Sequence, residues 1–397
     1  MLSRFSQLDS LLTQCQNYWR IEPFQLSSKD TLPWNDSNNE LVEWLEKLSP
    51  EQVVAYKADT KSLIHAISLF LPFISELEEL IKLPEEKINE LQLERGLDTG
   101  IPGRKLTQIV SMGTCSLQHH VGDEWLEWCS GKGYLGRILA AKSGEKVTSL
   151  EWQNELCISG QQEADTRHLP MEFVQGDAFS PEVELLFKPN QHAVALHACG
   201  DLHVQLIRRA TEHHLKGITI SPCCYHLIRD DLYQPLSEPA KQSTLKFSKS
   251  ELRIPLQETV TGGERVKKHR ELEMSYRLGL DLLLTLETGS KEYVSIPSVK
   301  KSELANGFEY FCRWAAEKKG LCLPEVDLEF WCQKGIERFW KMEKISLVQQ
   351  VFRRPLEIWL ALDRALYLEE KGYKVSVSTF CEKSVTPRNI LIHGGRI

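Results

Sequence analysis

The chain has 397 residues, 42% of them hydrophobic and 26% charged, and a formal net charge of −7. This is an ordinary globular composition, and it excludes a low-complexity chain and a uniformly cationic binder of nucleic acid. The 11 cysteines, odd in number and scattered, argue against a disulfide framework. The start has no apolar signal core and no run of about 20 apolar residues occurs, so the reading is a cytoplasmic protein with free thiols and no membrane contact.

Residues 1–104 predict an N-terminal helical region. Leu41, Trp44, Leu45 and Leu48 form one amphipathic stripe, and Ser49-Pro50-Glu51 starts a further helix. Nothing in this stretch looks catalytic; a helical cap, or a surface for a protein partner, is the expected role.

From residue 105 to 229 short apolar runs alternate with helical patterns. Strands are expected at 123–129, 146–152, 171–177, 192–198 and 216–222, with helices between them. Such alternation predicts an α/β fold, a Rossmann-like parallel sheet whose ligands meet the carboxyl ends of the strands. Residues 230–350 break the rhythm with charged and aromatic-rich helices, read as a mainly helical insertion. Residues 351–397 return to a long helix and two strands, "YKVSVSTFC" and "TPRNILIHGG", which complete a seven-stranded sheet.

The stretch "EWLEWCSGKGYLGRILA" (124–140) carries the chemistry. Gly131, Gly133 and Gly136 follow a strand and open a helix, where backbone can approach a ligand closely and helix N–H groups stand free. Glu151 ends the next strand, where a carboxylate can grip ribose hydroxyls, and Asp177 ends the third. Two ligands compete, a dinucleotide and S-adenosylmethionine. Glu127, four residues before Gly131, disfavours a pyrophosphate by like charge and favours a ligand carrying an ammonium and a sulfonium.

The order acid-x-x-x-Gly-x-Gly, with acids after the second and third strands, resembles class I S-adenosylmethionine-dependent methyltransferases. "CSGKGYLGRILA", "VALHACGDLHVQLIRRA" and "SPCCYHLI" are similar to a subgroup with CSGKGHLG, LHxCGDL and C-C-Y/H-H segments. That subgroup includes the methyltransferase-like domain of the glutathione S-transferase C-terminal-domain-containing protein and, more distantly, tRNA 2′-O-methyltransferases. The resemblance covers residues 120–230 strongly and 350–397 moderately.

It implies that Glu127, Cys129, Gly131, Gly133 and Gly136 line the methionine part of S-adenosylmethionine. Glu151 would hold the ribose, Asp177 and Ala178 the adenine, and His197 would face the methyl group. Cys223, Cys224, Tyr225 and His226 would form the opposite wall, Tyr225 touching substrate. Tyr134 replaces the subgroup's usual His, and Tyr225-His226 departs from the His-His of the tRNA group.

For a hydroxyl or amine acceptor, His226, His197 and Asp201 are the candidate bases, unranked. Cys223 or Cys224 could instead attack a pyrimidine ring. A zinc site built from His197, Cys199, Cys223, Cys224 and His226 is set aside, because H-x-C and C-C-x-H are not the usual ligand spacings, and no metal is assigned.

In the insertion, the "RVKKHR" run (265–270) reads as an RNA-binding face or as a solvated helix face among Glu271 and Glu273. Arg270 is the residue expected to reach substrate. The sequence therefore predicts a methyltransferase, with RNA (tRNA or rRNA) favoured over a protein or small molecule; a non-catalytic scaffold that keeps the cofactor fold is the alternative, and an oxidoreductase the third reading.

Overall fold

A computed structural model describes residues 1–87, 91–257, 263–289 and 293–397. Within these, seven strands form one sheet: β1 (Glu124–Trp128), β2 (Lys146–Glu151), β3 (Met171–Gln175), β4 (Gln191–Cys199), β5 (Gly217–Cys223), β6 (Tyr373–Thr379) and β7 (Ile390–Arg396). Their order is β3-β2-β1-β4-β5-β7-β6. The first five pair in parallel, and β7 runs antiparallel to both β5 and β6. This is the Rossmann-like α/β sheet expected from the alternation, with the helical insertion falling before its last two strands.

The burial of each strand follows from its place. β5 is buried at every position and β2 at all but its first. Helices cover both faces of a parallel sheet, so the central strands read as continuous apolar runs. The edge strand β6 alternates between covered and open positions. β7 begins at Ile390, after the turn expected at Pro387, which has no N–H to give a ladder. Trp125, Trp128, Ile138, Leu139, Val147 and Val194 are each at most 1% exposed. Burying a large apolar side chain of this kind contributes about 2–3 kcal/mol.

The chain divides into two compact units. The first comprises Met1–Gln14, Leu77–Val260 and Arg353–Ile397, and holds the sheet. Helix Leu2–Gln14 buries Phe5, Leu8 and Leu12 there, with Phe5 against Trp359. The second comprises Cys15–Glu76 and Thr261–Phe352. Its longest helices are Glu264–Thr288 and Leu328–Gln350. They pack around Tyr276, Leu280, Leu283, Phe311 and Trp331. Buried Arg338 ties that unit together, donating to Asp281 at 2.6 Å, to the Ser27 hydroxyl and to the Phe24 carbonyl. No described helix is long and apolar enough to cross a membrane.

Candidate active site at the carboxyl edge of the sheet

The loop after β1 turns from strand to helix through Gly131 and Gly133, both at left-handed φ (+60° and +66°). The two glycines do different work. A Cβ on Gly133 would come within 2.4 Å of the Phe173 ring, whereas one on Gly131 would meet nothing within 4 Å. Gly133 is therefore packed inward against the protein, and Gly131 faces open space.

The helix that follows, Tyr134–Ser143, has no side-chain cap of its own because its N-cap is Gly133. Glu127 supplies one from the strand beneath. Its Oε1 accepts the Gly136 N–H at 3.0 Å, and its Oε2 accepts the Ser149 hydroxyl at 2.8 Å. Glu127 and Ser149 are register partners on β1 and β2. Glu127 is only 3% exposed. Burial pushes its carboxyl up to about 7, against the opposing pull of the Gly136 N–H, Ser149 and the Arg137 charge. Both oxygens are thus engaged under the loop, and Glu127 shapes the loop from below.

Glu151, at the end of β2, accepts the Gly131 N–H at 2.9 Å and the Gln153 N–H at 2.9 Å. After β3, Asp177 accepts the Phe179 N–H, with Ala178 buried beside it. Cys129 takes φ +56° at the end of β1. Burial, then the negative charges of Glu151, Cys199 and Asp177, push its thiol up to about 12. The ends of β1, β2, β3 and β4 therefore converge around one point.

Among the described residues, five non-glycine residues have left-handed φ: Cys129, His168, His197, His214 and Cys224. His168 and His214 each follow the C-cap of a helix, where that conformation is common. The other three stand at the carboxyl ends of β1, β4 and β5, three neighbouring strands. Strained backbone of this kind clusters at functional sites. At His197 the cause is visible: the β4–β5 register shifts between Leu196 and Cys199, and the irregularity leaves the His197 side chain exposed.

The segments after β4 and β5 interlock. The Gly200 N–H donates to the Cys223 carbonyl, the Asp201 N–H to the Leu227 carbonyl, and the Arg229 N–H to the Asp201 carboxylate at 2.8 Å. Asp201 is thereby a tether between the two segments. Sγ of Cys199 lies 3.6 Å from Sγ of Cys223. His226 has a buried Nδ1 with no hydrogen-bond partner among the described residues. Burial and the Arg253 charge hold its imidazole below the ordinary histidine range.

Tyr225 and Arg270, both expected at the substrate, have the following partners. Tyr225 is fully buried, under the Arg364 guanidinium at 4.9 Å, which puts its ring behind the wall instead of on it. Arg270, in the helical unit, donates to Glu343 at 3.0 Å, in an ion pair that also includes Lys57.

A buried polar chain, not anticipated from the sequence, supports the end of β4. Asp363 accepts the Tyr233 hydroxyl and the N–H groups of Leu236 and Ser237. Arg364 donates to the Tyr233 oxygen at 3.0 Å and to Nε2 of His203 at 2.7 Å. Since Nε2 accepts, Nδ1 carries the proton and donates to the Ala198 carbonyl at 2.9 Å. The chain thus steadies the residue between His197 and Cys199. Ser130 was also missed; its Oγ is buried within the glycine loop without a partner among the described residues.

No curated protein matches the chain. Solved structures that resemble it include a tRNA (uracil-54, C5)-methyltransferase of Pyrococcus abyssi in complex with S-adenosyl-L-homocysteine, at 20% identity over 28% of this chain and 28% of that one, TM-score 0.25. A S-adenosylmethionine-dependent methyltransferase of Clostridium acetobutylicum matches at 13% identity over 32% and 52%, TM-score 0.24. One from Agrobacterium tumefaciens matches at 12% identity over 30% and 45%, TM-score 0.24. Each match spans at most about half of the relative's length. The glycine loop and both wall segments fall within residues 104–231, and that stretch matches the family model of a methyltransferase domain.

Proposed function

We propose that this protein is a S-adenosylmethionine-dependent methyltransferase acting on RNA. The observation that carries the reading is the carboxyl edge of the sheet: an open-faced Gly131 flanked by Glu151 and Asp177, facing the interlocked segments after β4 and β5. The donor set suits a ligand with hydroxyls and a positive charge. Cys129 and Gly131 would hold its methionine end, with Gly133 and Gly136 shaping the loop behind them, Glu151 the ribose, and Asp177 with Ala178 the adenine, with His197 beside the methyl group. Glu127 acts from beneath, by setting the loop.

When bound, S-adenosylmethionine supplies a methyl group on a sulfonium. The protein's part is to align the acceptor and exclude water. We take His226 as the group that would receive the acceptor's proton, because an imidazole held below its ordinary range stays neutral near pH 7. Asp201 positions that segment through Arg229. The RNA assignment rests on the helical unit, where Arg265, Lys267 and Lys268 are exposed and His269 half-exposed along helix Glu264–Thr288. A cytoplasmic setting and a protein partner for the N-terminal helices belong to the same proposal.

Calorimetry of the full chain with S-adenosylmethionine and S-adenosylhomocysteine tests the cofactor. The expected result is micromolar binding by wild type, lost in Glu151→Ala; no binding by wild type favours the scaffold reading. Nucleoside mass spectrometry with and without the gene tests the substrate, and the expected result is one missing methylated nucleoside. Unchanged tRNA and rRNA profiles overturn the RNA assignment.

A further inference from the structure

Cys199, Cys223 and Cys224 bring their three sulfur atoms within 4.8 Å of one another. Two features of the backbone cause this. Cys199 and Cys223 are register partners on β4 and β5, which sets their thiols side by side at 3.6 Å. Cys224 follows directly, and in a regular strand its side chain would point to the opposite face. Its φ of +49° breaks that alternation, and its thiol turns toward the other two. Left-handed backbone at a side chain-bearing residue is unfavourable, and here it converges three soft ligands.

The spacing suits a metal. With zinc–sulfur bonds of about 2.3 Å, the edge of a tetrahedral thiolate site is about 3.8 Å, and the Cys199–Cys223 separation is 3.6 Å. The adjacency of Cys223 and Cys224, which in sequence counts against a shared ion, is overcome by the turn at Cys224. All three cysteines are free; Cys223 is buried, and Cys199 and Cys224 are partly open, which leaves a path from solvent. The positive charge of Arg388 acts on Cys224 and offsets part of the surplus negative charge of three thiolates around a divalent ion. Three protein ligands with one position left open is the arrangement of reactive, not purely structural, zinc sites.

We propose that Cys199, Cys223 and Cys224 form a three-thiolate site for a soft cation, Zn²⁺ in the first instance, on the wall formed by the ends of β4 and β5. Binding converts three thiols to thiolates and releases their protons to solvent; no redox change is involved. The site does not depend on the methyltransferase reading, since it is defined by the thiols alone.

The test uses the full chain, reduced and metal-free, titrated with Co²⁺. One equivalent produces a thiolate-to-cobalt charge-transfer band with tetrahedral d–d bands, and Zn²⁺ displaces it. Cys199→Ser and Cys224→Ser each abolish the band and weaken zinc competition by at least about tenfold. These two partly open positions are chosen over buried Cys223, and circular dichroism verifies that each variant is folded. Cys322→Ser, at an exposed cysteine of the helical unit, leaves the titration unchanged. A wild-type chain that takes up no cobalt overturns the proposal, whether its thiols stay reduced or close into a Cys199–Cys223 disulfide. A band that persists in both serine variants overturns it as well.

Discussion

The Glu127 carboxylate accepts the Gly136 N–H at 3.0 Å, so an acid on β1 caps a helix that begins seven residues later. Glutamine keeps that acceptor and can donate to Ser149, whereas alanine leaves the Gly136 N–H unsatisfied in a buried pocket. At about pH 4.5, where the folded-state carboxyl is protonated, Glu127→Gln is expected to change stability by less than about 1 kcal/mol, and Glu127→Ala to cost about 1–3 kcal/mol. Denaturant unfolding measures both. Cofactor binding that survives in the glutamine variant separates this capping role from a direct charge contact.

The same residue sets a pH dependence. Its folded value, about 7, lies above the ordinary 4.5. Between those two values the folded state holds a proton that the unfolded chain releases, so this contribution to stability is full below about pH 4.5 and is lost as pH rises through 7. A shift of this size corresponds to about 3 kcal/mol. The difference in unfolding free energy between wild type and Glu127→Gln should vary across pH 4.5–7 in that direction. A difference that stays flat over the window contradicts the assignment.

The two loop glycines should respond differently. Gly133→Ala drives a methyl into the Phe173 ring at an unfavourable φ, and Gly131→Ala meets only the unfavourable φ. The expected loss is about 1 kcal/mol for Gly131→Ala, and more than about 2 kcal/mol for Gly133→Ala. Ligand binding should reverse the order of importance, because Gly131 borders the open space. Thermal melts paired with calorimetry read both effects.

If His226 takes the acceptor's proton, methylation should fall on the acid side with an apparent pKa below 6.5, since burial and Arg253 hold the imidazole low. His226→Asn should lower kcat by about 10²-fold or more and abolish that limb. An acid limb retained in the variant assigns the titration to another group.

Arg364 is 1% exposed and joins Tyr233 to His203. Arg364→Met leaves the His203 Nε2 and the Tyr233 oxygen without their donor. A loss of about 3 kcal/mol or more is expected in chemical unfolding, a size characteristic of broken buried networks. Lys at this position should rescue only partly, because it cannot fork between two acceptors.

Within the sequence, the central strands were legible because a parallel sheet covered on both faces needs uninterrupted apolar runs, and the glycines marking their ends are a backbone requirement of the loop itself. The positions of the glycine loop, Glu151 and Asp177 at the ends of strands were legible from their spacing. Side-chain direction was not, because it depends on which strand lies alongside and in what register. Glu127 turns beneath the loop because β2 places Ser149 opposite it. Tyr225 goes inward because Arg364, far along the chain, lies over it. Helix Leu2–Gln14 buries Phe5, Leu8 and Leu12, and only packing sets Phe5 against Trp359 in the unit that holds the sheet, because a helical pattern does not encode its partner. The thiol cluster belongs to the same class: its residues were visible, but their meeting depends on the β4–β5 register and on one left-handed turn, which long-range strand pairing decides and local sequence does not.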